Sequence, residues 1–163
     1  MSKLVKSKDA RGVTNIYVEF LCSTYLKHFK GVYPCDLLSH VNLKPKESII
    51  VNLSRSSEPG SHFVALCQME NYCLYFDPYG MKCFNLDLLK YFKDRSIDTI
   101  FYSARQLQPF LISYFCSYYC ISALICFEKN ISLHHFQEMF SSDLGKNDWI
   151  CVDIIKSHIK SLQ

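Results

Sequence analysis

Between residues 48 and 80 three short apolar runs follow one another, each closed by residues that interrupt regular structure. Ser48-Ile49-Ile50-Val51-Asn52-Leu53 has the β-branched enrichment of a buried strand. Ser54 to Gly60, rich in Ser, Pro and Gly, reads as a loop. It delivers the chain to a second strand, His62-Phe63-Val64-Ala65-Leu66-Cys67. Asn71 marks a hairpin turn, and the third strand, Tyr72 to Phe76, stops at Asp77-Pro78-Tyr79-Gly80. Proline cannot donate to a ladder and Gly80 permits positive φ, so the strand ends there. A chain with this centre must cover a small sheet.

The flanks supply the cover. Ile16, Tyr17, Phe20, Leu21, Tyr25 and Phe29 recur at three- and four-residue steps, which predicts an amphipathic helix started by Thr14 or Asn15 and ended by Gly31. Tyr33 to Leu38 reads as a turn into a short irregular or helical piece. Asn85 is placed to cap a helix from Leu86 to Phe92, and Thr99 to Tyr102 reads as a fourth strand. Three further helices are expected. One runs from Cys116 to about Phe127, one carries Leu133, Phe136, Met139 and Phe140, and one carries Ile150, Cys151, Ile154, Ile155 and Ile159 on a stripe. The expected class is α+β, a small sheet packed against helices. At 163 residues and 49% hydrophobic content, one domain over residues 1–163 is expected, with 1–12 a loose basic arm.

Nine cysteines are an odd number, and the first residues, Met1 to Arg11, are polar and basic rather than an apolar leader. A reducing compartment and free thiols are expected. Six histidines accompany them, but there is no Cys-x-x-Cys pair, so no metal site is expected. No apolar run reaches the ~18 residues of a membrane helix. The net charge of +3 allows weak attraction to nucleic acid without the dense basic stripe of a dedicated binder.

Cys116 stands where a loop ends and an apolar segment begins. A thiol there meets the unpaired amides and positive dipole end of a helix, which favour the thiolate. A free thiol has a pKa of about 8.5, and a helix N-terminus or a cationic histidine brings it to roughly 3.5–7.5. A cysteine nucleophile also needs a base, a group that orients the base, and a donor for the developing oxyanion. His62 opens one strand of the hairpin and Asp77 closes the other, so an antiparallel pair sets them side by side. Gln108, in the loop before Cys116, offers an amide donor, with Gln106 as the alternative. Cys120, one helical turn on, is the rival nucleophile on the same face but deeper. His28, His134, His135 and His158 fall on or beside expected helices without an acidic hairpin partner. Each residue taken singly also has a plain structural reading: packing for the thiol, turn chemistry for Asp-Pro, a solvated ring for His62.

The ordered set Gly60-Ser61-His62-Phe63-Val64-Ala65, Tyr75-Phe76-Asp77-Pro78-Tyr79-Gly80, Gln108 and Ser113-Tyr114-Phe115-Cys116-Ser117-Tyr118-Tyr119-Cys120 resembles the adenovirus-protease (adenain) family of cysteine proteases. Within that family it looks most like the variants of Maverick/Polinton elements and adintoviruses, and the match runs from about Gly31 to the C-terminus. The resemblance implies an adenain/Ulp1-like fold with His62 as base, Asp77 as its orienting acid, Gln108 in the oxyanion hole and Cys116 as nucleophile. It implies cleavage of capsid or core precursors during virion maturation, in the host nucleus or cytoplasm or inside the particle, by a monomer, with small residues beside the cut. A DNA or peptide activator is implied by the resemblance only. This chain departs from the family at Phe63, where tryptophan is usual, and at Ser117, where glycine is usual. It also has no cysteine near position 98 to tether an activating peptide. The wider clan adds the alternative of a SUMO- or ubiquitin-like-deconjugating protease. Ser117 motivates a second alternative, an inactive protease fold kept as a binding module, and the cysteine-rich composition a third, a zinc-binding structural protein.

Overall fold

Successive residues of a strand point to opposite faces of its sheet, and here both faces are covered. Ile50, Ala65, Cys67, Leu74 and Phe76 join one apolar cluster with Leu21, Tyr119, Leu124, Phe136 and Ile155. Ile49, Val51, Val64, Leu66, Cys73 and Tyr75 join the other with Leu38, Leu88, Tyr91 and Phe92. Burial of each such aliphatic side chain is worth about 1.5–3 kcal/mol. That two-sided burial is why these strands read as continuous apolar runs instead of alternating ones.

The structure is a computed structural model and describes residues 14–110 and 113–163. The expected arm over residues 1 to 12 lies outside the described residues. The elements in order are α1 (Asn15–Tyr25), β1 (Phe29–Pro34), a 3-10 helix (Cys35–His40), β2 (Ser48–Asn52), β3 (Phe63–Gln68), β4 (Cys73–Phe76), α2 (Leu86–Asp94), β5 (Ile100–Phe101), α3 (Cys116–Glu128), α4 (Leu133–Glu138), a second 3-10 helix (Leu144–Lys146) and α5 (Asn147–Ser161). One five-stranded mixed sheet runs in the order β1-β2-β3-β4-β5. Its centre, β2 to β4, is antiparallel, while β1 and β5 pair in parallel at the edges. The fold is α+β. Among the described residues no helix is long and apolar enough to cross a membrane.

The sheet has one strand more than expected. The helix predicted through Phe29 ends at Tyr25, and Phe29–Pro34 is β1. The carboxylate of Glu128 accepts the amides of Lys27 and His28, at 3.1 and 2.7 Å, which takes the chain out of the helix. Glu19 of α1 accepts the amide of Val32. Gly31 is therefore no helix terminator. It sits inside the strand at φ +142°, where the register with β2 shifts between Phe29 and Val32. The buried side of α1 is Val18, Leu21 and Cys22, while Ile16 and Phe20 are 82% and 62% exposed. The predicted caps of α1 and α2 are present: Thr14 accepts from the Tyr17 amide and Asn85 from the Leu88 amide.

Gly80 ties the hairpin to the segment that leads to α3. Its φ is +71°, and a Cβ there would lie 2.7 Å from the backbone carbonyl carbon of Arg105 and from the amide nitrogen of Gln106. Just before it, the Pro78 carbonyl accepts both the Leu107 and the Gln108 amides, at 2.9 and 3.1 Å. Gly80→Ala combines left-handed backbone strain with a backbone clash. It should lower unfolding free energy by about 1–3 kcal/mol in urea denaturation, and an unchanged midpoint would contradict the close approach.

Candidate active site

Ten of the thirteen residues of α3 are buried, from its first residue onward, so the core holds the helix along its length. Cys116 is the first of them. Phe115 is the N-cap, and no side chain caps the helix. The first backbone bond runs from the Tyr119 amide to the Phe115 carbonyl, so the amides of Cys116, Ser117 and Tyr118 have no partner within the helix. The sulfur therefore sits in the positive field of a helix end.

The β3–β4 hairpin brings His62 and Asp77 together. His62 Nε2 lies 2.8 Å from Asp77 Oδ1, with the two side chains 12% and 0% exposed. The same oxygen accepts the Tyr79 amide at 2.8 Å, which fixes the carboxylate's direction. The Tyr79 ring stacks on the imidazole, centroids 4.4 Å apart and planes within 12°, and Phe110 packs against Tyr79 at 4.4 Å. The ring is thus clamped in its plane as well as at its edge. Burial disfavours the imidazolium, but hydrogen bonds to Asp77 and Cys116 and the charges of both outweigh it, and the His62 pKa is raised from 6.5 to about 9. With Nε2 turned to the carboxylate, Nδ1 is the nitrogen left for the sulfur.

Gln108 reaches the turn before Cys116, though not in the manner expected. It is fully buried, and its Nε2 donates to the Ser113 carbonyl at 2.7 Å and lies 3.3 Å from the Ser113 hydroxyl. The amide holds the turn instead of pointing into the space above the thiol. Gln106 donates to the Gln108 carbonyl at 2.8 Å and is equally engaged. The backbone amides that open α3 are the donors left without a helical partner beside the thiol. Cys120, the rival nucleophile, is fully buried with its thiol directed to the Phe63 carbonyl at 3.3 Å, and burial pushes its pKa well up. Three of the other histidines are engaged elsewhere: His158 with the Tyr25 carbonyl, His134 with Glu138 and His135 with Ser132.

Cys116 faces a cleft of about 980 Å³. One wall is the start of α1, Thr14 to Ile16. Another is the loop from Ser54 to Ser61, and Phe63, Tyr79, Ser113 and Ser117 are among the residues that line the rest. Asn52 holds two of these walls together. Its Oδ1 accepts the Ser54 and Ser61 amides, and its Nδ2 donates to Asn15. Arg55 pairs with Asp87 through two 3.1 Å contacts, and Ser56 bonds Asp36 twice at 2.8 Å, so the loop is pinned to α2 and to the first 3-10 helix. Ser117 is almost wholly buried beside the thiol. Among the described residues no group of three or more His, Cys, Asp or Glu side chains is arranged to hold a metal ion.

The Tyr79 stack and the Asn52 bridge escaped the sequence reading. Tyr79 carried a signal, since it lies two residues past Asp77 in a turn. Asn52 carried none beyond being a polar residue at the end of an apolar run. Because the His62 pKa is higher folded than unfolded, its contribution to stability is fully present below about 6.5 and is lost as pH rises through about 9. An NMR titration of the His62 ring protons should give a midpoint near 9, and Asp77→Asn should move it down by removing the first of the two partners. A wild-type midpoint at 6.5 would contradict the clamped geometry. No protein-family model matches the chain, and no curated protein matches it.

Proposed function

We propose that the chain is a cysteine endopeptidase of the adenain type. The observation that carries the proposal is the imidazole of His62 held between a buried carboxylate, Asp77, and the thiol of Cys116 at the head of a buried helix. A ring hydrogen-bonded to a buried carboxylate and electrostatically coupled to a thiol that lines a cleft has the three parts that nucleophilic thiol catalysis requires.

In this reading the Cys116 thiolate attacks the carbonyl carbon of a peptide lying in the cleft, and the carbonyl π electrons move onto oxygen. The amides of the α3 head receive that oxyanion, and an oxyanion donor of this kind is worth about 2.7–4 kcal/mol in the transition state. The His62 imidazolium protonates the departing amine as the C–N bond breaks, which leaves an acyl-enzyme on sulfur. His62, now neutral, takes a proton from water as the water attacks the thioester. Collapse of the second tetrahedral species expels the sulfur as thiolate, releases the acid and restores the thiolate–imidazolium pair. Asp77 keeps the ring oriented and favours its cationic form throughout. Gln108 supports the turn that bears the nucleophile.

The substrates proposed are capsid or core precursors of a virus or transposon, entering as extended peptides with small residues beside the cut. Gly60, Ser61, Ser113 and Ser117 in the cleft lining are small, which lets a peptide backbone approach the sulfur closely. The chain would act as a monomer in the host nucleus or cytoplasm or within the particle, with any DNA or peptide activator resting on the resemblance alone. The deconjugating alternative is separated by offering a capsid-precursor peptide and a fluorogenic ubiquitin-like conjugate side by side. Cleavage of the conjugate alone would transfer the assignment to it.

Cys116→Ala and His62→Ala should each abolish cleavage, followed by mass spectrometry of the products, with the fold retained by circular dichroism. Asp77→Asn should lower kcat by a smaller factor, because it leaves the nucleophile and base in place. Activity should fall as pH rises through about 9, where His62 loses the proton that it must give to the leaving amine. A Cys116→Ala variant that cleaves as well as wild type would overturn the assignment.

A further inference from the structure

Asp148 lies in the first turn of α5, and the residues it touches stand on both sides of the nucleophile in the chain. Its Oδ1 accepts the hydroxyl of Ser113, three residues before Cys116, at 2.9 Å, and the hydroxyl of Tyr119, three residues after it, also at 2.9 Å. Ser113 Oγ is at the same time 3.3 Å from the Phe115 amide and 3.3 Å from Gln108 Nε2, both donors. A serine hydroxyl has one proton and two lone pairs. With two donors arriving, its proton must leave towards an acceptor, and Asp148 is that acceptor. Every hydrogen-bonding position of Ser113 Oγ is then filled, so its rotor is locked and the turn with it. Tyr119 is fully buried in α3, and its ring stacks on Phe140, so it gives the carboxylate a rigid anchor on the helix side.

We propose that Asp148 is a positioning residue for Cys116, joining the turn before the nucleophile to the helix after it through a single carboxylate oxygen. The clamp holds the sulfur at the His62 ring. Its release lets the turn rotate and the sulfur spend part of its time away from the imidazolium, where the thiolate loses its cationic neighbour. The plainer role for an acidic residue at this place is to complement the dipole of α5. The two differ in what they need: the dipole needs the charge, and the clamp needs the acceptor oxygen. Asparagine supplies the second without the first.

The inference deepens the peptidase reading, and it is tested by a measurement that does not depend on peptide cleavage. Iodoacetamide alkylation of Cys116 is followed at neutral pH by peptide mass spectrometry in the full chain, alongside cleavage of a precursor peptide and the melting temperature. Asp148→Ala and Ser113→Ala should each slow alkylation of Cys116 by about tenfold to a hundredfold, the scale on which small misplacements act. The double variant should be no slower than the worse single one, because both break the same contact. Asp148→Asn should stay within about threefold of wild type in alkylation. It should melt lower if the charge also serves α5. Where cleavage is present, kcat should fall in the alanine variants with KM little changed. If Asp148→Ala does not fold, Ser113→Ala with and without Asp148→Asn decides the matter, since the second change should add nothing. Wild-type alkylation rates in folded Asp148→Ala or in Ser113→Ala, additive losses in the double variant, or equal losses in Asp148→Asn and Asp148→Ala overturn the clamp. A wild type whose Cys116 alkylates in a His62-dependent way yet cuts no peptide overturns the peptidase reading, and the alkylation series still decides the clamp.

Discussion

The contact between Asp77 and His62 is the one on which the rest of the site depends. A carboxylate with no solvent exposure is costly unless something cationic or hydrogen-bonding faces it. Here Oδ1 has the imidazole and the Tyr79 amide, while Oδ2 is buried with no partner among the described residues. The carboxylate's charge therefore has the ring as its main counterpart, and this helps explain why the ring holds its proton against burial. The hairpin makes the contact possible. Pairing of Ala65 with Phe76 fixes where β4 ends relative to the start of β3, and the Pro78–Gly80 turn then carries the chain away.

The same turn links the two halves of the site. The Pro78 carbonyl accepts two amides from the segment bearing Gln108, and the Gln108 side chain donates to the Ser113 carbonyl. His62 and Cys116 thus stand on neighbouring supports joined by these hydrogen bonds. Asn147 adds to this by donating to the Leu107 and Ser141 carbonyls from a fully buried position. Buried polar groups of this kind are stabilising only when their bonds are satisfied, and they then define one arrangement of the chain.

Chemistry at the cleft follows from what the core leaves uncovered. α3 packs against β3 and α5 along most of its length, so Cys120 and Cys126 are ordinary buried thiols and Cys116 alone of the three faces the cleft. A thiol at that position, with the His62 imidazole beside it and a walled groove before it, is what supports the proposed attack on an extended peptide. It also fits a modifier tail threaded through the same groove, and substrate chemistry beyond the sulfur is what separates the two.

Much of the sheet was readable from residue order, because β-branched runs between turn formers are local signals. So were the caps Thr14 and Asn85, the positive φ of Gly80, and the proximity of His62 to Asp77, which needs only a hairpin. The strand at Phe29–Pro34 was not readable. It follows a helical pattern without a breaker, and the carboxylates that turn the chain there come from Glu19 and from Glu128, about a hundred residues away. The direction of the Gln108 amide and the roles of Ser113, Tyr119 and Asp148 were likewise decided only by tertiary structure. Hydrogen bonds between side chains distant along the chain leave no periodicity in it, and they form only after α3, α5 and the hairpin have packed.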